Sequence, residues 1–343
     1  MLLSTRKQWL LTLISLLAIA VNGCDRTSPR EVVVYVSVDR IYAEPILEKF
    51  SQATGIKVLP VYDVEATKTT GLANRLLLEK NRPQADVFWS GEFVQTLMLK
   101  QQNVLVPYTS ASGEQLPAQY RDPQGYWYGV GGRARILLAN TEKLAENQYP
   151  QSLTDLVSLA AGGQPVGIAY PIFGTSATHA AALYAHWGNA QAEQFYRSLQ
   201  EKGVRVVDGN SVVRDLVVNG QLAIGLTDTD DACSAVAKGE PVEIIFPDQG
   251  PGQMGAFVLT GSVALIANAP HPEAGQALVD FLIAPSTEAE LIQLGGSQLP
   301  LHSSSPVSTC LENFVVKPMA VNPTQVFEQL ETSKRDLQTI FVR

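Results

Sequence analysis

Three carboxylates stand within four positions in the segment GLTDTDDACSAV, residues 225–236, at Asp228, Asp230 and Asp231. They follow the apolar run QLAIGL, which is typical of a buried strand. Carboxylates at this spacing repel and raise one another's pKa unless a cation or a hydrogen-bond donor lies between them. A helix cap at Asp228 or Asp230 explains one of the three and not the set. The spacing therefore predicts one wall of a site that faces a cationic ligand or ligand group.

Two arginines stand two residues apart where the apolar run RARILLAN begins, at Arg133 and Arg135. This run predicts a strand, and alternate residues of a strand share a face. Guanidinium groups recognise a carboxylate, carbonate or phosphate with paired hydrogen bonds. The pair therefore predicts an anion site, and a structural salt bridge remains the alternative for either residue.

Two polar loops follow other predicted strands and precede predicted helices. The loop YPIFGTSATHAA contributes Thr175, Ser176 and Thr178, and the loop VVDGNSVVRD contributes Asn210 and Ser211. Hydroxyls and backbone N–H groups at the start of a helix bind anions. Capping of the helix by Thr175 or Ser176 is the simpler alternative.

Two further acidic residues occupy comparable places. Asp39 follows the run VVVYVSV, and Glu92 follows ADVFWSG. In open α/β sheets, ligands bind beyond the carboxyl ends of the strands. We therefore expect Asp39 and Glu92 to converge with the acidic run on one cleft.

The elements that must position these residues alternate along the chain. Short β-branched runs such as VVVYVSV are followed by helix-period segments such as YAEPILEKFSQATG, a rhythm typical of an α/β protein. With 343 residues, two lobes are expected. The same alternation restarts near RARILLAN and returns near FVLTGSVALIAN, so we expect the chain to cross between the lobes at least twice.

Composition and motifs exclude several functions. The net charge of -8 argues against nucleic acid as a partner, because binding to phosphates depends on Lys and Arg. The chain has four histidines but no HExxH, GxSxG or Walker A motif. We therefore expect no enzyme, and a secreted hydrolase acting through Asp230 and Asp231 remains a minor alternative.

The N-terminus has the pattern of an export signal. Arg6 and Lys7 precede the apolar run WLLTLISLLAIAV, and residues 1–23 predict a signal peptide. The stretch AVNGC resembles the lipobox of bacterial lipoproteins, which would make Cys24 the lipidated first residue, with ordinary cleavage as the alternative. Residues 24–31 would then form a polar tether. Two other cysteines, Cys233 and Cys310, give no framework pattern, and free thiols are favoured over a disulfide.

Six stretches together resemble the extracellular solute-binding proteins of ABC importers, specifically the family of periplasmic ferric-ion-binding proteins. They are VVVYVSVDRIYAEPILEKFSQATGIKV, RPQADVFWSGE, YWYGVGGRARILLAN, FGTSATHAAAL, NGQLAIGLTDTDD and NAPHPEAGQALVDFLIAP. The resemblance implies a type II periplasmic-binding-protein fold, with two α/β lobes that close over a ligand. It implies one lobe from residues 32–131 and 261–311, and another from residues 132–260 and 312–343.

The resemblance also implies which side chains bind the cargo. The iron-ligand positions of the family fall on Asp39 and Glu92, while its two adjacent tyrosines are replaced by Asp230 and Asp231. Asp228 joins this predicted cation-binding set. The anion positions fall on the following residues: Arg133 or Arg135, with Thr175, Ser176 and Thr178.

The function that follows is transport without catalysis and without a resident cofactor. The resemblance implies a monomeric, lipid-anchored receptor on the outer side of the cell membrane that binds Fe³⁺ with carbonate or another anion and delivers it to an ABC permease. Carboxylates suit hard cations, which keeps iron possible without the tyrosines. The alternative cargo is a small organic phosphonate or phosphate, with or without an amine, whose ammonium would lie among Asp39, Asp230 and Asp231.

Overall fold

Helices flank a sheet of mixed strand direction in the computed structural model, which describes residues 30–63 and 70–342. This architecture confirms the α/β class expected from the alternation of short apolar runs and helix-period segments. The predicted signal peptide and Cys24 lie outside the described residues.

The described residues form ten strands in chain order. Their bounds are β1 Glu31–Val36, β2 Lys57–Tyr62, β3 Val87–Ser90, β4 Leu105–Val106, β5 Tyr128–Asn140, β6 Val166–Ala169, β7 Arg205–Val207, β8 Ile224–Asp228, β9 Val242–Ile245 and β10 Val258–Ile266.

The same residues form eleven α-helices. Their bounds are α1 Arg40–Thr54, α2 Thr70–Leu78, α3 Val94–Gln101, α4 Asp155–Ala161, α5 Gly174–Trp187, α6 Asn189–Glu201, α7 Asn210–Val218, α8 Thr229–Ala237, α9 Pro272–Leu282, α10 Pro285–Gln293 and α11 Pro323–Ile340.

The strands are ordered β2-β1-β3-β10-β5-β8-β6-β7, with β4 beside β10 and β9 beside β5. Pairing is parallel among β2, β1 and β3, and again among β8, β6 and β7. The central strands β10 and β5 run antiparallel to their neighbours in both groups. Two parallel groups, one on each side of a central antiparallel pair, correspond to two lobes.

Strand β5 joins the two groups, because its partner changes along its length. Its residues up to Ala134 pair with β10, whereas Arg135 onward pairs with β8 and β9. The register of β10 shifts between Thr260 and Gly261, at the second crossing expected from the sequence. A Cβ on Gly261 would lie 2.7 Å from the Val130 carbonyl oxygen, so the close approach of these backbones requires glycine. The lobe boundaries themselves stay a prediction.

The C-terminal helix α11 packs mainly against α5 and α6. Val326, Leu330 and Leu337 are buried on one face, so this helix is amphipathic. Asn322 caps this helix, because its side-chain oxygen accepts a hydrogen bond from the backbone N–H of Thr324 at 2.8 Å.

The expectation of free thiols at Cys233 and Cys310 is wrong. The two cysteines form a disulfide that joins α8 to the short 3₁₀ turn Thr309–Leu311. They are 77 residues apart, so neither lies near the other until the chain has folded. Local sequence patterns cannot reveal such a pair.

None of the helices in residues 30–63 and 70–342 combines the length and the apolar character that a membrane span requires.

Candidate functional site

The loops at the carboxyl ends of β1, β3, β6, β7 and β8 surround a cleft of about 460 Å³. Parallel strands direct these ends to one edge of the sheet, where helices also begin. Most of the side chains predicted for the site line this cleft, while Arg135 and Thr178 do not. Those that line it are Asp39, Glu92, Arg133, Thr175, Ser176, Asn210, Ser211, Asp228, Asp230 and Asp231.

Each carboxylate of the acidic run has its own arginine. Arg135 Nη1 lies 2.6 Å from Asp228 Oδ1, and Arg133 Nη1 lies 3.1 Å from Asp230 Oδ2. Asp231 Oδ1 accepts a hydrogen bond from Arg214 Nη1 at 2.9 Å. The groups that relieve the mutual repulsion of the run are therefore guanidinium groups of the protein itself.

Asp228 anchors a buried polar network. Its Oδ2 accepts hydrogen bonds from Thr175 Oγ1 at 2.8 Å and from Asn210 Nδ2 at 3.0 Å. Burial opposes its ionisation, but the charges of Arg135 and Arg133 hold the pKa of Asp228 below its ordinary value. All of its oxygens are therefore occupied by contacts within the protein.

Arg135 does not lie at the surface of the cleft, contrary to the prediction that it binds an anion. It is 1% exposed, and its Nη1 donates to Asp228 Oδ1 and to Asn210 Oδ1. Strand pairing explains this burial, because Arg135 lies directly opposite Asp228 in the register of β5 and β8. For Arg135, the alternative interpretation of a structural salt bridge is therefore the correct one.

Arg133 does line the cleft, and it contacts residues of both predicted lobes. Its Nη1 lies against Asp230 on α8, and its Nη2 donates to the carbonyl oxygen of Gly91 after β3 at 3.1 Å. Burial disfavours its charge, but Asp230 and Asp228 raise the pKa of Arg133 above its ordinary value. In the described part of the chain, Asp230 Oδ1 is buried without a hydrogen-bond partner. The Arg133–Asp230 pair therefore retains an acceptor that is not satisfied within the protein.

Asp231 also lines the cleft, but its Oδ1 faces Arg214 and its Oδ2 accepts a hydrogen bond from Thr227 Oγ1 at 3.3 Å. Burial, together with the negative charges of Asp230 and Asp228, raises the pKa of Asp231 to about 7. This carboxyl group therefore titrates near neutral pH.

Glu92 lies in the cleft with 5% of its surface exposed. Thr178 Oγ1 donates to Glu92 Oε2 at 3.1 Å, and the N–H of Val94 lies 3.4 Å from the same oxygen. Burial raises the pKa of Glu92. Thr178 was predicted to bind the anion, but it does not line the cleft. Its hydroxyl is buried against Glu92 and orients that carboxyl group instead.

Four helices, α1, α5, α7 and α8, begin at this cleft, each at the end of a strand. Their first N–H groups carry partial positive charge, which favours carboxylates and anions there. The capping alternative is wrong for Thr175 and Ser176, whereas for Asp228 the position at the start of the helix is confirmed but no side-chain cap forms. Phe173 is the N-cap residue of α5, and Asp228 holds the N-cap position of α8 without a side-chain capping bond. The side chains of Thr175 and Asp228 bond to each other.

Several residues at or behind the cleft wall were missed by sequence reasoning. Arg214 lies one helical turn after Asn210 on α7, a spacing that places two side chains on one face and could have indicated it. The aromatic side chains Tyr42, Tyr170 and Phe173 line the cleft as well. Their sequence surroundings carry no signal that separates them from core aromatics.

Across residues 30–63 and 70–342, no group of three or more His, Cys, Asp or Glu side chains is arranged to hold a metal ion. The predicted cation ligands do share one cleft, yet the three aspartates of the acidic run are paired with arginines. What the cleft offers is a set of carboxylates, hydroxyls and helix N-termini around a space larger than a single ion.

Comparison with known proteins identifies the family. Residues 82–313 match the model of the bacterial extracellular solute-binding proteins. The chain belongs to this family. Its members bind solutes outside the cytoplasm, which confirms the resemblance inferred from the six stretches and agrees with the absence of recognised catalytic motifs.

Individual relatives are distant in sequence and close in fold. The Fe(3+)-binding periplasmic protein of Serratia marcescens is 24% identical over 275 residues, which cover 79% of this chain and 78% of the relative. The Trichodesmium protein IdiA (FutA), solved in complex with iron and citrate, superimposes with a TM-score of 0.80 at 20% identity, covering 91% of this chain and 100% of that one.

A third similar structure is AfuA of Actinobacillus pleuropneumoniae with exogenous fructose-6-phosphate bound. Its TM-score is 0.73 at 19% identity, and the match covers 91% of this chain and 98% of that one. These likenesses confirm the predicted two-lobed, type II periplasmic-binding-protein fold.

Proposed function

We propose that this protein is the solute receptor of an ABC importer, and that it binds ferric iron with an anion and delivers it to the permease without catalysis. The cleft lies between two lobes of the kind that close over a ligand in such receptors.

The observation that supports a cationic cargo is the charge of the side chains that line the cleft. Six carboxylates line the cleft among the described residues, and Arg133 is the one basic side chain among the lining residues. Asp230 Oδ1 is buried and without a hydrogen-bond partner in the described structure. Leaving such an oxygen unpaired is unfavourable, and a hard cation would pair with it.

The second lobe supplies the anion side. The N-termini of α5 and α7 both open onto the cleft beside Thr175, Ser176 and Ser211. Helix N–H groups and hydroxyls together bind oxyanions such as carbonate. An anion held there would complete the coordination of an ion bound by the carboxylates.

The relatives support iron. A similar protein is named as binding Fe³⁺, and another is known in complex with iron and citrate. Asp230 and Asp231 stand where the family resemblance expects two tyrosines. Carboxylate oxygens are hard ligands that suit Fe³⁺ as well, so the substitution changes the donor type and keeps the preference for a highly charged ion.

The test is a thermal-shift titration of the purified protein with Fe³⁺ in the presence of carbonate, citrate or phosphate. Saturation by ligand raises the midpoint, because a ligand that binds only the native state stabilises it. We expect a shift with at least one iron–anion combination and a smaller one with the anion alone. The absence of any iron-dependent shift would reject iron as cargo.

A second candidate is an organic solute that carries a phosphate or phosphonate, with or without an amine. Two observations favour it: the described residues contain no assembled group of metal-binding side chains, and the cleft volume of about 460 Å³ suits a small organic molecule. The similar AfuA structure holds fructose-6-phosphate. Titration with 2-aminoethylphosphonate and with fructose-6-phosphate distinguishes this candidate, since a shift with either compound and none with iron would favour it.

We also propose that Cys24 carries lipid chains after removal of residues 1–23, which would hold the receptor at the outer face of the membrane. The lipobox-like stretch AVNGC supports this anchoring.

A further inference from the structure

Three carboxylate–arginine pairs meet at the cleft, and they differ in how accessible they are. The Asp228–Arg135 side chains are 5% and 2% exposed, so that pair is sealed. Arg214 bonds to Asp215 as well as to Asp231, and it does not line the cleft. These two ion pairs therefore belong to the protein structure that supports the cleft and are not exposed to a ligand as pairs.

The Arg133–Asp230 pair is different. Both of its side chains line the cleft, with 24% and 35% of their surfaces exposed. Its contact of 3.1 Å is the longest of the three, compared with 2.6 Å and 2.9 Å. Partly exposed ion pairs contribute little net stability, whereas breaking a buried pair is costly. Of the three pairs, this one is therefore the least costly to separate.

The remaining contacts of the pair also favour separation. Arg133 Nη2 bonds to the neutral carbonyl oxygen of Gly91, so the guanidinium retains one anchor after leaving Asp230. Asp230 Oδ1 is already buried without a hydrogen-bond partner in the described residues. An incoming cation can therefore occupy the Asp230 carboxylate while Arg133 turns its freed donors toward an anion.

We infer that Arg133 and Asp230 form an exchangeable ion pair that couples the two charges of the cargo: a cationic centre takes Asp230, and the released Arg133 takes the anionic group. This inference rests on the proposed function, in which cation and anion bind together. Arg133 acts as a specificity-determining residue. A ligand with only a cationic or only an anionic group would break the Arg133–Asp230 ion pair and form only one new ion pair in its place. A cargo bearing both charges replaces one pair by two.

A double-mutant cycle tests the exchange, with inorganic phosphate as the anion probe and isothermal titration calorimetry as the measurement. The variants are Asp230→Asn, Arg133→Gln and the combination. In Asp230→Asn, Arg133 is free before binding, so phosphate affinity rises by about tenfold, the size of one charge-assisted hydrogen bond. This gain disappears in the Arg133→Gln background, because it acts through the guanidinium.

Asp39→Asn is the matched control, since it removes one negative charge from the opposite lobe of the same cleft. The charge of Asp39 acts on Arg133 without the hydrogen bond that Asp230 makes, so we expect a smaller gain in phosphate affinity than Asp230→Asn gives, and part of that gain should remain in the Arg133→Gln background. If the gain in Asp230→Asn also persists in that background, simple charge removal accounts for it and the exchange is wrong.

The reciprocal cycle uses Tb³⁺ as a trivalent cation that binds carboxylates, followed by its luminescence. Arg133→Gln leaves Asp230 available, and we expect about a tenfold gain in Tb³⁺ affinity that Asp230→Asn abolishes. Additive effects in both cycles, together with iron binding by the unmodified protein, would overturn the exchange and leave the proposed function intact. Failure of every variant to bind phosphate, Tb³⁺ or iron would overturn both.

Discussion

At the scale of residues, the acidic run is stabilised by three arginines that come from two different elements. Arg133 and Arg135 belong to β5, and Arg214 belongs to α7. The three ion pairs are buried to different extents, so the three chemically similar carboxylates differ in pKa. The pKa of Asp228 is lowered, while that of Asp231 is raised to about 7.

Asp228→Asn is expected to lower the free energy of unfolding by about 3–5 kcal/mol, because it leaves the charge of Arg135 buried without its counterion. The amide retains an acceptor for Thr175, so the loss reports mainly on the charge. Urea unfolding followed by circular dichroism measures it. Glu201→Gln is the control, and for this exposed residue at the end of α6 we expect a change within about 0.5 kcal/mol. Equal effects of the two substitutions would show that Asp228 is not a structural anion.

The pKa of Asp231 predicts a pH dependence of stability. The folded-state pKa of about 7 lies above the ordinary value of 3.8 for an aspartate, so the native state binds a proton more tightly than the unfolded chain. Stability contributed by this group therefore falls as pH rises from about 4 to 7 and stays low above that range. The urea midpoint of the wild-type protein, measured against pH, should show this decline.

Asp231→Asn removes the titrating group, and the corresponding part of the pH dependence should disappear in that variant. An unchanged slope between pH 4 and 7 would assign the decline to other groups. Cation binding should follow the opposite trend in the wild-type protein, weakening below pH 7 as Asp231 becomes neutral.

At the scale of elements, α8 carries Asp230 and Asp231 in its first turn and Cys233 immediately afterwards. The helix has only nine residues, so its own hydrogen bonds hold it weakly in isolation. Packing against α7, β5, β8 and β9 and the disulfide to Cys310 fix its position. The acidic wall of the cleft therefore depends on a covalent link made 77 residues further along the chain.

Cys233→Ser should lower the free energy of unfolding by about 2–5 kcal/mol, because the disulfide closes a long loop in the unfolded chain. Urea unfolding of the variant, and of wild-type protein with and without a reductant, measures the loss. Cys310→Ser should give the same loss, and the double variant should add nothing to it. A larger loss in the double variant would indicate that each cysteine contributes separately.

At the scale of the whole molecule, two polar contacts among the described residues join the loop after β3 to other elements beside the cleft. Arg133 donates to the carbonyl of Gly91, and Thr178 on α5 donates to Glu92 after β3. Both contacts use the loop that follows β3. These contacts hold in place a loop whose residues Gly91 and Glu92 line the cleft.

The proposed lipid anchor also belongs to this scale. Cys24→Ser should move the protein from the membrane fraction to the soluble fraction, because the residue that would carry the lipid chains is lost. Immunoblotting of fractionated cells measures the distribution. Continued tight association with membranes would contradict the assignment of Cys24, and a substitution at Ser28 in the proposed tether is the matched control.

The sequence by itself determined the α/β class, most of the elements and the loops that carry the site. These depend on local periodicity and on the rule that ligands collect at the carboxyl ends of strands, both of which a single chain displays. Asp39, Glu92 and the acidic run were therefore expected together, and all of them line the cleft.

Only the tertiary structure decided how those charges pair. Arg133 and Arg135 look equivalent along the chain, but β5 changes partners between them, so one residue lies opposite Leu259 in β10 and the other opposite Asp228 in β8. The disulfide and the Arg214 contact likewise join distant segments. Strand register and burial across elements determine these contacts, and both arise from long-range packing that local sequence patterns do not contain.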